Sequence, residues 1–595
     1  MQPALVPKPL DPGAVDSPAL ELVREGWKLL QLQQPLAAWA AWQRALRIDS
    51  GNAAAIQALA ALEKAPDLPA AARAAYRFQT SADPTRRVRW DTRLRGSRLD
   101  DLDAAAEAFA SLAREDPNDA EAWFNLALCH AWLGRNSAAI EALDRVVDLQ
   151  AKPDPKRAED AWTLAEVLRL GAGAEPLADD LRHTYSVGLG DGLPVGFLED
   201  WPNLLPVEVP PGPLSGTSTI AESRVFEWLD RPMPTISSPR AEDLPRVLGT
   251  VIVTPALLRL SSPDALGFAS LEEPAFDAVR ALLESGRRET FPLPIAWADA
   301  AIATFRTPSG LDAEVRDELG RALVEHYFEN LWIHQARKAL TSLSPLESAR
   351  EIAKGDGPLR ARLAGVVRFR EQLGSRLSHA SLYQGYPFDR LRRRLGLLPE
   401  GSAAVDPKDL SCAGEAELDA LDPAALDDEM LADAFSSSAH LRVDSRTARF
   451  ALKLIERGPK SFARLDPTAL YAPLLREALK DSDSGKALEL LARGRSDHAG
   501  PSARTFTVWS AEILTRENRP DAALAAYLSL FDDPEANASE ALDGVETFLD
   551  HGDADQALSL VREAQARARL QGDEALLRKA NRLVERVKPR ASGLA

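Results

Sequence analysis

The chain has 595 residues, of which 45% are apolar and 27% carry a charge, as in ordinary globular proteins. This composition excludes a chain that is mostly disordered or fibrous, and the length predicts several domains or an extended array of repeats. The formal net charge of -18 disfavours bulk attraction to nucleic acid, which is therefore not expected as a partner.

The N-terminal segment does not predict secretion, because its prolines would interrupt the apolar core of a signal peptide. The longer apolar stretches, such as 36–42, are far shorter than the roughly 20 residues of a membrane span. Two cysteines, Cys129 and Cys412, cannot form a disulfide framework or a structural zinc site. The sequence therefore favours the cytoplasm, and its abundance of arginine, alanine and leucine favours a bacterial source.

Residues 120–149 carry the clearest local pattern, AEAWFNLALCHAWLGRNSAAIEALDRVVDL. Two amphipathic helices are predicted, separated by a turn at Leu133–Arg135. The small residues Ala127 and Ala139 would let the helices approach closely, and larger apolar residues would fill the space around that contact. The segment resembles a tetratricopeptide repeat, a helix–turn–helix unit of 34 residues.

The same pattern continues toward the N-terminus. Ala105 and Phe109 take second-helix positions one unit earlier, and Ala72 and Tyr76 take them one unit before that. Four units in phase predict an α-solenoid over residues 16–187, with helix continuing through residue 187 in a degenerate last unit. A second, weaker array is predicted toward the C-terminus, where Ala511 and Ala523 repeat the spacing; an α-solenoid of another family is the alternative there.

Between the arrays, a proline-rich stretch precedes short apolar, β-branched segments at 223–229, 246–254 and 256–260, which predict strands. Helices are expected after them, including 275–284, 295–305 and a long one at 311–340. Ser344 starts a Ser-x-x-Glu capping box. The fold class is thus mainly α, with an α+β middle domain that carries a small sheet. The expected domains are repeats at 16–187, a Pro-rich entry segment at 188–245, the middle domain at 246–400, an acidic linker at 401–433 and helical repeats at 434–595.

In tetratricopeptide repeats the first helix of each unit lines a concave face, and the resemblance implies a protein or peptide partner there. Asn125 occupies a position that some members use to hold a peptide backbone or carboxylate. The basic residues that would complete a carboxylate clamp are mostly missing, so a partly apolar groove for an amphipathic helix or extended peptide is predicted. The alternative is that Trp27 and Trp132 pack only against adjoining helices. The candidate partner-binding residues are Trp27, Arg95, Phe124, Asn125, Leu128 and Trp132.

Charge is unevenly distributed in the second half. Residues 401–433 hold ten acids and one base, whereas residues 358–394 hold nine arginines and two acids. The densest basic run contains Arg390, Arg392, Arg393 and Arg394. We consider two roles for it: contact with an anionic partner, or an intramolecular contact in which the acidic segment covers the basic helices. Two separately solvated faces are the third possibility.

No phosphate-binding loop, nucleophile elbow or metalloprotease motif occurs, and no two of the eight histidines stand four residues apart. The sequence therefore assigns no catalytic residue, metal or cofactor. It predicts a non-enzymatic scaffold that binds a protein segment on concave repeat surfaces. The alternatives are an enzyme with an unrecognised active site in the middle domain, and a regulatory module that binds an anionic partner through residues 390–394. Oligomeric state and partner identity stay open.

Overall fold

The structure, a computed structural model, forms two compact units, Met1–Glu400 and Gly401–Ala595. It describes residues 17–65, 68–81, 83–94, 101–177, 181–188, 203–207, 224–234, 241–254, 257–262, 287–292, 305–308, 310–374, 386–398, 402, 405–531, 541–542, 544–572 and 574–591. The predicted helix at 275–284 lies outside these residues, as do most of the Pro-rich segment and all of the helix predicted at 295–305 except Phe305, which forms a β-bridge with Arg246.

The first unit begins with helices only. Their bounds are α1 Pro18–Gln31, α2 Pro35–Ile48, α3 Ala53–Glu63, α4 Ala70–Ala74, α5 Pro84–Leu94, α6 Leu102–Glu115, α7 Ala120–Trp132, α8 Asn136–Gln150 and α9 Pro155–Arg169. Asp101, Asp119 and Asp154 begin α6, α7 and α9, and each side chain accepts a hydrogen bond from a backbone N–H of the first turn. Such caps satisfy donors that a helix start would otherwise leave unpaired.

The pair α7 and α8 has the predicted form of a repeat. Ala127 and Ala139 are fully buried, as expected for the close approach of the two helices. The turn between them has Gly134 at φ 73°, and the Arg135 N–H donates to the His130 carbonyl over 2.8 Å. This is the Schellman arrangement, in which a left-handed residue ends a helix and satisfies its last carbonyls. Gln33 adopts the same positive φ between α1 and α2.

The expected second helix around Ala72 and Tyr76 was wrong in part. Helix α4 ends at Ala74, and residues 75–81, which we call the inner segment, are not helical. Helix α2 contacts α7, and α4 contacts α9. Helices α2 and α4 therefore lie against α7 and α9. They do not stack only on the repeat unit that follows them in the sequence.

Six strands of the described part of the chain then form an antiparallel sheet. Its strands are β1 Leu181–Gly188, β2 Leu204–Val207, β3 Arg224–Leu229, β4 Val247–Thr254, β5 Leu257–Ser262 and β6 Arg287–Pro292, in the order β2-β3-β4-β5-β1-β6. The strands predicted at 223–229, 246–254 and 256–260 are confirmed as β3, β4 and β5. The expected helix through residue 187 was wrong, because residues 181–188 pair with β5 and β6.

Alternation along β4 explains why the sequence revealed this sheet. Val251 and Val253 are buried, whereas Ile252 between them is half-buried. This is expected for side chains that alternate between two faces. On the neighbouring strand, the carboxylate of Glu227 forms an ion pair with Arg306. The backbone of Arg246 bridges that of Phe305, so the chain after β6 returns to the sheet.

The remaining helices among the described residues of the first unit are α10 Ala313–His326, α11 Pro345–Ile352, α12 Gly357–Gly374 and α13 Phe388–Arg394. The predicted long helix is shorter than expected, because a π-helical turn at Tyr327–Leu331 and a 3-10 turn at Trp332–His334 follow α10. The capping box at Ser344 is confirmed: its hydroxyl accepts from the Glu347 N–H, and the Glu347 carboxylate accepts from the Ser344 N–H.

Helix α12 packs against α9, the last helix before the sheet. Gly365 lies so close to Trp162 that a Cβ atom there would stand 2.8 Å from the Trp162 Cβ. Arg362 forms ion pairs with Asp144 and Asp148 of α8. The sheet therefore lies in the chain between α9 and α12, two helices that pack against each other.

The second unit consists of helices among its described residues. Their bounds are α14 Glu415–Ala420, α15 Asp428–His440, α16 Asp444–Arg457, α17 Pro467–Lys480, α18 Ser484–Asp497, α19 Pro501–Arg516, α20 Pro520–Leu530, α21 Gly544–His551, α22 Ala554–Gln571 and α23 Glu574–Ala591. Each of α15 to α19 contacts the next helix in the chain, and α17, α19 and α21 also contact one another in order. This is the stacking of helical hairpins in a solenoid. Residues 482, 518 and 552 repeat the positive-φ turn of the first unit.

The acidic stretch 401–433 forms part of this unit through local ion pairs. Asp419 pairs with Arg446 at 2.6 Å, and Asp428 pairs with Arg457 at 2.8 Å. The hydrogen bond and charge of Arg446 lower the pKa of Asp419 against the opposing effect of burial. These acids therefore have arginine partners on α16 of their own unit.

We expect Gly365→Ala to destabilise the first unit by about 1–3 kcal/mol, because the added methyl group overpacks the contact between α12 and α9. The gain in helix propensity, about 1 kcal/mol, would offset only part of this. Denaturant unfolding followed by circular dichroism measures the change. Gly357→Ala, at the start of the same helix, is the matched control, because its nearest neighbour would be 3.8 Å away. Equal stability of the two variants would contradict the close contact.

Candidate functional site

The predicted concave face of α7 is covered by the chain itself. Asn125 is fully buried, and its side-chain amide binds the main chain of Gln79 in the inner segment. Asn125 Oδ1 accepts from the Gln79 N–H over 2.7 Å, and Asn125 Nδ2 donates to the Gln79 carbonyl over 2.9 Å. One side chain thus satisfies both polar groups of a backbone unit that belongs to no helix.

The side chain of Gln79 is also held. Arg157, from the first turn of α9, donates to the Gln79 Oε1 atom and to Glu121 of α7. Burial acts to raise the pKa of Glu121, but the hydrogen bond and charge of Arg157 outweigh it and leave that pKa below its ordinary value. Glu121 is therefore ionised at neutral pH, and the Arg157 guanidinium is fixed between a carboxylate and the Gln79 amide.

An aromatic cluster supports the same segment. The Trp132 indole donates to the Ala75 carbonyl over 3.2 Å, and the Phe78 ring lies 5.0 Å from the Trp132 ring and 5.1 Å from the Phe109 ring. Trp39 of α2 stacks on Tyr76. Burial raises the pKa of Tyr76, so its hydroxyl stays neutral. Aromatic contacts of this size contribute beyond their buried area.

The C-terminal end of the inner segment is anchored next to α5. Two nitrogens of the Arg87 guanidinium donate to the Ser81 carbonyl, over 3.2 and 2.9 Å, and Ser81 is buried. Main-chain groups of Ala75, Gln79 and Ser81 are therefore all bound by side chains. Because these side chains bind backbone atoms, most of the contacts would accept a different amino-acid sequence that follows the same non-helical path.

The structure brings some of the predicted partner-binding residues together and separates others. Asn125, Leu128 and Trp132 are buried, whereas Phe124 is half-buried. Trp27 is half-buried against Trp42, with 5.1 Å between ring centroids. Arg95 lies outside the described residues.

Sequence reasoning missed Gln79 and Arg157. One signal could have indicated the inner segment: Pro84 disfavours helix at the residue before it, and Thr80 and Ser81 are poor helix formers. These features argue against the continuous second helix that the repeat phase suggested. Nothing local could have shown that Gln79 meets a residue 46 positions later.

The basic run near residue 390 is largely engaged with carboxylates of its own unit. Arg394 is buried, and its guanidinium donates to Glu329 over 3.1 Å. Arg390 contacts Glu329 and Glu325, each at 3.0 Å. Arg392 pairs with Glu371 and Asp389, and Arg393 is half-buried. The helix α13 is therefore bound into the unit by its arginines.

Glu329 is the centre of this network. It lies in the π-helical turn after α10 and is 2% exposed. The Tyr386 hydroxyl donates to it over 3.2 Å. Burial, and then the Glu329 charge, raise the pKa of Tyr386 well above its ordinary value. A buried carboxylate needs such partners, because an unpaired charge away from water is strongly unfavourable.

In the second unit, Trp509 stands two residues before Ala511, as Asn125 stands two residues before Ala127. Trp509 is half-buried and contacts the Phe506 ring at 5.9 Å between centroids. Glu512, on the same helix α19, is also half-buried. Burial raises its pKa, and the charge of Arg516 opposes that effect. The corresponding face of α19 thus carries an indole and a partly desolvated carboxylate, which the sequence analysis did not single out.

Within the described residues, no group of three or more His, Cys, Asp or Glu side chains is arranged to hold a metal ion. Cys129 and Cys412 are both buried and form no disulfide, and burial raises the pKa of Cys129 to about 12. Among the helices that the structure describes, none combines the length and apolar character needed to cross a membrane.

Comparison with known families supports the repeat assignment. The tetratricopeptide repeat family matches residues 97–155 and 474–537. The first match contains α7 and α8, and the second contains α18, α19 and α20. The chain is therefore a protein that contains tetratricopeptide repeats, one block in each compact unit, and such repeats are in general protein-interaction modules. No curated protein matches the chain.

We expect Arg394→Met to lower the free energy of unfolding by about 2–4 kcal/mol, because it removes a fully buried partner of the Glu329 carboxylate. Arg392→Met is the matched control. Its guanidinium is 21% exposed and pairs with partly exposed acids, so a loss below about 1 kcal/mol is expected. Denaturant unfolding measures both. If Arg394→Met were no less stable than Arg392→Met, the buried network would not stabilise the unit.

We expect Asn125→Ala to release the Gln79 main chain and to lower the free energy of unfolding by about 1–3 kcal/mol. Hydrogen exchange of the Gln79 amide, measured by mass spectrometry, should speed up by at least tenfold. Asn118→Ala is the control, because Asn118 is exposed in the turn before α7 and has no described side-chain hydrogen bond. Unchanged exchange at Gln79 would show that the Asn125 amide does not hold the inner segment.

Proposed function

We propose that the chain is a non-enzymatic scaffold that binds segments of other proteins on the inner faces of its repeats. The observation that carries this proposal is the pair of hydrogen bonds between Asn125 and the Gln79 backbone. They support the proposal because a side chain on this face of α7 already binds the backbone of a non-helical segment. Recognition of backbone polar groups by fixed side chains is a general way to bind a peptide.

The second unit supplies the more accessible surface for a partner. Trp509 and Glu512 are half-buried on α19, so each retains solvent-accessible surface. A partner segment that covers Trp509 would bury more of its indole, and tryptophan is among the residues that most often dominate binding energy. A hydrogen-bond donor or basic side chain on the partner would pair with the Glu512 carboxylate. Burial already raises the pKa of that carboxylate.

This proposal includes the domain organisation that the sequence suggested, with two repeat arms and a middle region. It also places the protein in the bacterial cytoplasm. This compartment is supported by Cys129 and Cys412, which form no disulfide, as is usual in a reducing environment. Bacterial origin rests on the composition alone.

Affinity capture from native lysate tests the proposal. We expect Trp509→Ala to reduce the amount of specifically captured protein at least fivefold relative to the wild-type chain, because it removes the apolar anchor of α19. Quantitative mass spectrometry of the captured proteins measures the change. Circular dichroism must first show that the variant is folded.

Leu452→Ala is the matched control for this experiment. Leu452 is 44% exposed and lies on α16, the second helix of a hairpin in the same unit. Its truncation removes a similar kind of apolar surface from a face that the proposal does not use. Equal loss of the captured proteins in both variants, or no loss in either, would contradict a binding site on α19.

A further inference from the structure

We propose that the inner segment, residues 75–81, is an internal ligand that a partner's extended segment displaces from α7 and α9. This inference rests on the proposed function, since it assumes that the repeats bind protein segments. It adds the chemistry of the partner and the way in which access to the site is controlled. The partner's segment would carry an aromatic residue followed directly by glutamine.

Side chains of neighbouring helices hold the inner segment through its backbone. Side chains from α5 and α7 bind carbonyl or N–H groups of Ala75, Gln79 and Ser81. A partner segment that follows the same non-helical path would offer the same backbone groups. The site therefore selects a non-helical path, and it excludes an ordinary helix, whose backbone groups are already paired.

The site also selects two side chains of the segment that occupies it. Phe78 lies between the rings of Phe109 and Trp132, so an aromatic residue fits there. The next residue, Gln79, meets Arg157 through its side-chain oxygen. Arg157 also binds Glu121, which disfavours a second carboxylate beside it and favours a neutral amide. By contrast, Arg77 and Thr80 are exposed and impose no requirement on a partner.

The structure around the inner segment makes its displacement feasible. The inner segment belongs to no helix or strand, and it follows α4, which has only five residues. Its release would leave the helix pair α7 and α8 intact, because the small residues that join that pair, Ala127 and Ala139, do not depend on it. Segments with few helical or sheet hydrogen bonds open at lower free energy than the rest of a fold.

A fluorescein-labelled peptide of residues 73–83 tests the proposal by fluorescence anisotropy. The receptor is the full chain with residues 76–80 replaced by glycine and serine, compared with the wild-type chain. We expect the replaced chain to bind the peptide at least tenfold more tightly, because its site is vacated. A peptide with Phe78→Ala and Gln79→Pro is the control; it lacks the ring and the N–H that Asn125 binds, and should bind at least tenfold more weakly.

The replaced chain must be folded by circular dichroism. A folded chain that binds the peptide no more tightly than the wild type would overturn the proposal. So would equal binding of the control peptide, since the contacts with Phe109, Trp132 and Asn125 would then be irrelevant. Dimerisation of the wild-type chain through exchanged inner segments, detected by analytical ultracentrifugation, would make a second copy the occupant and overturn the assignment to a partner.

A measurement on the wild-type chain requires no variant that could fail to fold. Hydrogen exchange of residues 75–81 is followed with and without excess unlabelled peptide. We expect at least fivefold faster exchange at saturating peptide, and unchanged exchange would overturn displacement. The capture experiment on Trp509 concerns the other unit and uses cellular proteins, so failure of the general scaffold role and failure of this inference give separate results.

Discussion

The inner face of α7 requires a covering layer, and this requirement organises the first unit. Leu128 and Trp132 are apolar, and Asn125 is polar and fully buried, so neither kind of side chain could be left without contacts. The chain meets the requirement with its own inner segment, while α2 and α4 contact α7 and α9. A helical hairpin cannot bury both of its faces alone. What a regular solenoid leaves open as a groove is here occupied by residues that come earlier in the chain.

Arginine pairs connect successive hairpins at nearly constant sequence separation. Arg135 meets Asp103 and Arg476 meets Asp444, each 32 residues apart. Single exposed pairs of this kind contribute at most about 1 kcal/mol. Their regular placement instead favours one register between neighbouring hairpins over shifted ones, because a shift by one helical turn would separate every pair. The buried network around Glu329 differs, since it excludes water and fixes α13.

The sequence predicted what depends on local periodicity. Ala127 with Ala139, and Ala511 with Ala523, have the spacing of a repeat, and all four are fully buried; the alternation in β4 and the capping box at Ser344 are likewise local. It failed where distant residues decide the outcome. Tyr76 fits the phase of a second helix, yet contacts with Trp39 compete with helix propensity and the chain is not helical there. Arg394 looked like a surface charge because its partner, Glu329, lies 65 residues away.

An occupied groove makes the apparent affinity for a partner differ from the intrinsic affinity. In the proposed displacement, a partner must compete with a segment that is always tethered beside the site. Its apparent affinity is then its intrinsic affinity multiplied by the fraction of chains in which the site is vacant. If about one chain in a hundred is open, the apparent affinity falls about a hundredfold. Such a site rejects segments that match only one of its features. A segment that satisfies Asn125, the aromatic cluster and Arg157 together would make the contacts that Gln79 and Phe78 make, and it alone could replace them.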